Sequence, residues 1–401
     1  MKPAGVYIHI PFCRSRCSYC DFATGMYQPA LAARYVHAVE QEICTWNEVE
    51  PEAAVDTIYF GGGTPSLLSP SQIDLILSAV RNRFIVLPGA EVTLEINPGT
   101  TQSVQGPKSK VQSPPSESEV ESESAPSLLG EFRRLGVNRA SFGAQTFNDD
   151  ELRQLGRTHM GADIGLTFRH LREAGFDNIN FDLIAGLPGQ TLAGWEHNLD
   201  DALALRPEHL SLYLLDVHEG TPLADQIRRG LRPAPDDDLC AAMYRMMVER
   251  VCAAGYEHYE ISNFCLPGYE SRHNTKYWTG TPYYGFGCSA HSYDGRLRRW
   301  ANERDTARYV ELIENDQSAT VETINLSEQG VRSEQVFLGL RMLRGISLSD
   351  YQQRFGADLR ETHHAEIARL HAAGLIEAED DILKLTSTGA LLSNEVFVAL
   401  S

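Results

Sequence analysis

A chain of 401 residues, 42% apolar and 22% charged, has the composition of an ordinary folded protein and is long enough for one domain of about 250 residues plus a smaller one. Its net charge of −19 argues against nucleic acid as a main partner, because a phosphate backbone would repel it. No apolar run nears the roughly 18 residues a membrane span needs, MKPAGVYIHI lacks a signal-peptide core, and the cysteines outside 13–20 have no repeating spacing, so a cytoplasmic protein without a transmembrane segment or disulfide framework is expected.

Taken in chain order, short β-branched and aromatic runs alternate with helix-period segments up to about residue 235. The strands predicted are VYIHI (6–10), TIYFGGG (57–63), EVTLEIN (91–97), NRASFGAQ (138–145), NINFDLI (178–184) and HLSLYLL (209–215). Helices are expected at 31–46, 71–84, 162–175 and 192–205, with LLGEFRRLG (128–136) as a shortened one. Six βα repeats imply a parallel sheet, either an open doubly wound sheet or a full or partial barrel. Residues 101–127, rich in Ser, Pro and Glu, hold too few large apolar groups to bury and are expected to be disordered. Expanding a loop from about 4 to about 30 residues costs only about 2 kcal/mol of closure entropy, which a large domain tolerates.

Past residue 300 the rhythm stops. SEQVFLGLRMLRG (333–345), SLSDYQQRFG (347–356) and LRETHHAEIARLHAAG (359–374) read as helices, followed by a two-stranded wing around Glu379 to Asp381 and a final helix. That makes a small winged-helix-like module without a basic stripe, suited to packing or partner docking more than to DNA. The division expected is 1–235, a linking segment 236–304, and 305–401.

Three of the eight cysteines, Cys13, Cys17 and Cys20, follow directly on the first strand with spacing C-x3-C-x2-C. Three thiolates are one short of a closed zinc site; His9 or Asp21 could be the fourth ligand, but short zinc spacings come in pairs and no second pair exists. A 4Fe-4S cluster with three protein ligands and one open iron suits the count better. Gly61 to Thr64 end the second strand in a loop whose backbone can approach a ligand closely, though a plain strand-to-helix turn also uses glycine. Glu95, Asn97, Gln145 and Asp182 stand at the carboxyl ends of successive strands, the edge where parallel α/β folds bind ligands. In SRHNTKYW, the His273 imidazole is a good axial ligand for heme iron, and Tyr277 and Trp278 could cover a porphyrin face; the plain alternative is a loop histidine with core aromatics.

Together the cysteine spacing and strand pattern resemble the radical S-adenosylmethionine (SAM) superfamily. YIHIPFC, CSYCDF, GGGTPS, RASFGAQTFNDDELRQLGR and INFDLIAGLPGQT are similar to the branch that contains oxygen-independent coproporphyrinogen III oxidases and HemW-type heme chaperones. The resemblance implies a partial (β/α)6 barrel, with a 4Fe-4S cluster on the three cysteines fed by an electron donor. It also implies SAM chelating the open iron, where reduction can cleave it to a 5'-deoxyadenosyl radical. SAM contacts would fall on Tyr7, Gly62, Gly63, Thr64, Glu95, Gln145, Arg157 and Asp182.

Within the branch, the oxidases carry a further cysteine where Phe22 stands here and have a longer N-terminal extension, while only six residues precede Tyr7. His273-Asn274 followed by Tyr277-Trp278 looks like the HNxxYW signature of the chaperones. The resemblance therefore implies heme binding through His273, Asn274, Tyr277 and Trp278, and transfer to acceptor proteins, respiratory and membrane-associated ones among the candidates. It assigns no catalytic residue. GFGCSAHSY (285–293) also resembles a family segment, with Cys288 in place of a small residue and heme contact by Cys288 or His291 left open.

Overall fold

In the computed structural model, residues 2–48, 53–99 and 127–400 are described. All six expected strands are present: β1 (Ala4–Ile10), then β4 (Ala54–Gly62), β5 (Ile85–Ile96), β6 (Arg139–Gln145), β7 (Ile179–Ala185) and β8 (His209–Leu214); between β1 and β4 lie the two-residue strands β2 (Phe12–Cys13) and β3 (Gly25–Met26), paired with each other. The six long strands run parallel in the order β1-β4-β5-β6-β7-β8, as the expected partial (β/α)6 barrel requires.

Helices form where the 3.6-residue apolar period predicts them. α1 (Pro29–Thr45) and α2 (Pro70–Arg83) cover one flank, and α2 begins with a capping box in which Ser69 and Gln72 satisfy each other's backbone donors, worth about 1 kcal/mol. Next come α3 (Leu128–Arg134), α4 (Asp149–Gln154), α5 (Gly161–Glu173) and α6 (Leu192–Leu205). Apart from Ser127, whose side chain caps α3, the Ser/Pro/Glu-rich segment lies outside the described residues.

The strands alternate strictly. Val6, Ile8, Ile58, Phe60, Leu94, Phe142, Phe181 and Leu212 are buried in the core, while Glu95, Arg139, Ser141, Asn180, Asp182 and Ser211 line a cavity. Parallel strands covered on both faces usually read as continuous apolar runs. Here one face is given up to a polar lumen, and adjacent-strand register aligns Glu95 with Ser141, Ser141 with Asn180, and Asp182 with Ser211.

Beyond residue 215 come α7 (Pro222–Arg228), α8 (Asp237–Ala253), β9 (Glu257–Glu260), β10 (Asn263–Cys265), α9 (Arg272–Trp278), β11 (Tyr283–Phe286), β12 (His291–Tyr293), β13 (Arg298–Asn302), α10 (Thr306–Glu314) and β14 (Thr320–Asn325). β10 and β9 extend the sheet past β8, and β11 joins the free edge of β1 in parallel, followed by β12, β13 and β14. These strands are too short to show a period-2 signal. The winged module begins at α11 (Glu328–Arg341) and not at 305, because α10 and β14 belong to the main body. It continues with β15 (Ile346–Ser347), α12 (Leu348–Phe355), α13 (Leu359–Thr362), α14 (His364–Ala372), the wing β16 (Ile376–Glu379) and β17 (Ile382–Leu385), α15 (Ser387–Leu391) and α16 (Ser393–Leu400). Among the described residues no helix is long and apolar enough to cross a membrane.

Candidate functional site

A cavity of about 400 Å³ opens at the carboxyl ends of the strands, and Cys13, Cys17 and Cys20 all line it. Their loop is sewn down from both sides. The glycine turn donates from Gly63 N to Ile10 O and from Thr64 N to Phe12 O, at 2.8 and 2.7 Å, while Ser18 N donates to Leu155 O at 2.9 Å. A Cβ on Gly63 would sit 3.0 Å from Cys13 Sγ, so glycine is needed for the two loops to meet. Gly62 has φ +111°, and a Cβ there would fall 2.5 Å from the His9 ring.

Burial pushes the Cys13 thiol up to about 11, with the Thr64 hydroxyl 3.8 Å from its sulfur opposing the rise. Arg157 supplies the nearby positive charge: Nη1 lies 3.4 Å from Cys17 Sγ, and Nη2 donates to Asn97 Oδ1 and Gly143 O at 2.6 Å each. Among the described residues no three His, Cys, Asp or Glu side chains gather around one ion-sized point. Three thiols facing one cavity beside a guanidinium are a donor set that fits a multi-iron group with one sulfur per iron.

Deeper in the cavity, Glu95 accepts from Tyr59 Oη at 2.8 Å and Gly62 N at 3.0 Å; burial nevertheless raises its carboxyl to about 7. Asp182 is raised by the same desolvation and accepts from Asn180 Nδ2 at 2.7 Å. Gln145 follows a bulge in the β6–β7 pairing and has φ +66°, a conformation a non-glycine residue adopts only when its surroundings impose it, and this turns it toward the cavity.

Seven of the eight residues expected to contact SAM, namely Gly62, Gly63, Thr64, Glu95, Gln145, Arg157 and Asp182, line this cavity. Tyr7 does not. It lines a second cavity of about 350 Å³, with its hydroxyl 3.0 Å from His9 Nδ1. Residues the motifs missed include Tyr59, Arg139, Asn180, Ser211 and Tyr213. The period-2 alternation of polar with apolar residues along the strands was the available signal for them.

The HNxxYW residues are split between environments. α9 docks against the amino ends of β1, β4 and β5, with His273 N donating to Glu91 Oε1 and Lys276 Nζ to Pro3 O. Asn274 reaches the first cavity and Tyr277 the second. Trp278 lies under the Arg341 guanidinium, 4.3 Å from its ring centroid, away from both. His273 is buried, and both its nitrogens are engaged, Nδ1 with Thr57 Oγ1 and Nε2 with Tyr277 Oη, each at 2.9 Å. Desolvation lowers its imidazole to about 3, so the ring is neutral and enclosed. Cys288 is also inaccessible, with Tyr35 and Thr306 hydroxyls 3.6 Å from its sulfur.

The chain matches the family model described as Radical SAM superfamily over residues 7–202, and the HemN C-terminal domain over 326–392. It is 35% identical to the heme chaperone HemW of Bacillus subtilis, covering 100% of this chain and 99% of that protein. The HemW of Mycobacterium tuberculosis is 34% identical, covering 98% and 94%. The chain belongs to the HemW family of radical SAM proteins.

Among solved structures, the radical SAM enzyme coproporphyrinogen III oxidase (HemN) of Escherichia coli superposes with a TM-score of 0.81 at 24% identity, covering 99% of this chain and 90% of that one. At that identity the likeness establishes the fold, which the HemW family shares with the oxidase. Phe22 is 62% exposed and lines both cavities of this HemW-family chain.

Proposed function

We propose that the protein binds heme and passes it to acceptor proteins, holding a 4Fe-4S cluster on Cys13, Cys17 and Cys20 and SAM beside it. The observation that carries this reading is the shared cavity: the three thiols, the seven residues named for SAM and the exposed ring of Phe22 all line one space. The relatives' names, heme chaperone, support heme as cargo and acceptor proteins as partners.

A cluster held there by Cys13, Cys17 and Cys20 would supply an electron and an open iron to a bound SAM. The chain's own part is electrostatic and steric. Arg157 offsets thiolate charge and ties the cysteine loop to β5 and β6. Gly62 and Gly63 let a ligand lie against the backbone, and Glu95 and Asp182 present acceptors to its N–H and O–H groups. The eight cysteines are unpaired, which suits a reducing cytoplasm.

Anaerobic reconstitution with iron, sulfide, SAM and heme, counting each bound component, tests the reading as a whole. Four irons, one SAM and one heme per chain are expected, with a heme-induced Soret band. Formation of protoporphyrinogen from coproporphyrinogen at a useful rate would replace the chaperone reading with oxidase activity. Absence of a Soret band would remove heme altogether.

A further inference from the structure

Resting on the reading above, we infer that heme docks in the second cavity, with His291 as its protein ligand to iron, and not on the enclosed His273. Two histidines, His9 and His291, line this space, and His273 lies behind Tyr277. His9 donates from Nε2 to Ala23 O and bonds Tyr7 through Nδ1; His273 is engaged at both nitrogens. The His291 ring is exposed at the cavity wall and makes no hydrogen bond among the described residues. A free imidazole nitrogen is what heme iron requires.

The position of His291 is set by the backbone. Ser289 takes a left-handed turn at φ +57° before β12, and His291 then pairs with Ala301 on β13. Gly285 allows this approach, since a Cβ there would meet His291 O at 2.3 Å. The ring is therefore presented from a strand, not from a free loop.

The rest of the wall suits a porphyrin. Phe22, Tyr277 and Tyr283 offer aromatic surface to an apolar macrocycle. Arg304, exposed at the edge, donates from Nη2 to Asp21 O and retains further N–H groups for a propionate carboxylate. Asp21 and Phe22 line both cavities, so the cargo would lie next to the residues that follow the last cluster cysteine. With Phe22, His291 and Arg304 exposed, one face of the porphyrin would stay open to an acceptor, as a carrier requires.

The test is titration of the reconstituted full chain with hemin, read by Soret position and affinity, in wild type, His291→Ala and His273→Ala, with iron-free protoporphyrin IX as a second probe. His291→Ala is expected to shift the band and weaken hemin binding about tenfold or more, with protoporphyrin binding unchanged and added imidazole restoring the wild-type band. His273→Ala should keep the wild-type band. A His291→Ala protein that titrates like wild type overturns the ligand assignment and leaves the chaperone reading standing, as does equal loss of hemin and protoporphyrin. No band in wild type overturns both.

Discussion

Arg157 and Cys17, on loops 140 positions apart, meet at the rim of the first cavity with Nη1 3.4 Å from Sγ. A guanidinium donating to a cluster thiolate stabilises the more negative, reduced state. Arg157→Leu should therefore lower the midpoint potential of the reconstituted cluster, by on the order of 50 mV. A redox titration followed by electron paramagnetic resonance measures it, and an unchanged potential would mean that the arginine does not sense the cluster.

Glu95 makes the protein pH-dependent in two opposite ways. Its carboxyl rises from an ordinary 4.5 to about 7, so its contribution to stability is complete below 4.5 and is lost as pH climbs through 7. Glu95→Gln should flatten the fall in melting temperature across that window. SAM carries a permanent sulfonium charge that favours the carboxylate, so SAM affinity should rise with pH over the same range, by up to about tenfold per unit, with proton release. Calorimetry in buffers of differing ionisation enthalpy detects the proton, and no release below pH 7 would count against Glu95 as a contact.

Two glycines separate backbone strain from collision. Both Gly62 and Gly89 have positive φ, but an added Cβ strikes the His9 ring at Gly62 and meets nothing within 4 Å at Gly89. Gly89→Ala should cost about 1 kcal/mol and Gly62→Ala about 3 kcal/mol, compared by denaturant unfolding. Equal losses would show that the His9 ring moves aside freely.

His273 is expected to act on stability. Removing its ring leaves the Thr57 and Tyr277 hydroxyls without their buried partner and opens a void, at a cost of about 3 kcal/mol. Its imidazole is held down near 3, so its contribution is present above the ordinary 6.5 and is lost as pH falls toward 3. His273→Ala should unfold earlier at neutral pH and lose stability less steeply on acidification. A variant as stable as wild type at pH 7 would contradict the hydrogen-bonded role.

Much of the architecture was legible in the chain. The six barrel strands, their flanking helices, the cysteine loop after β1 and the glycine turn after β4 rest on local chemistry: β-branched runs, helical periodicity and chain reversal by glycine. The edge strands β9 to β14 were not legible, because segments of three to six residues carry little periodicity and are held by register with distant neighbours.

The sequence by itself determined that three cysteines, a glycine turn and a row of polar strand ends would share the carboxyl edge of a parallel sheet, since alternation and chain direction leave them no other side. Only the tertiary structure decided where the HNxxYW side chains lie. Thr57 lies 216 positions from His273, and no local pattern could show that these two meet in a hydrogen bond. Contacts at that separation depend on which strand edges and helix faces are brought together. The same packing encloses His273 and Cys288 and leaves His291 open beside Phe22.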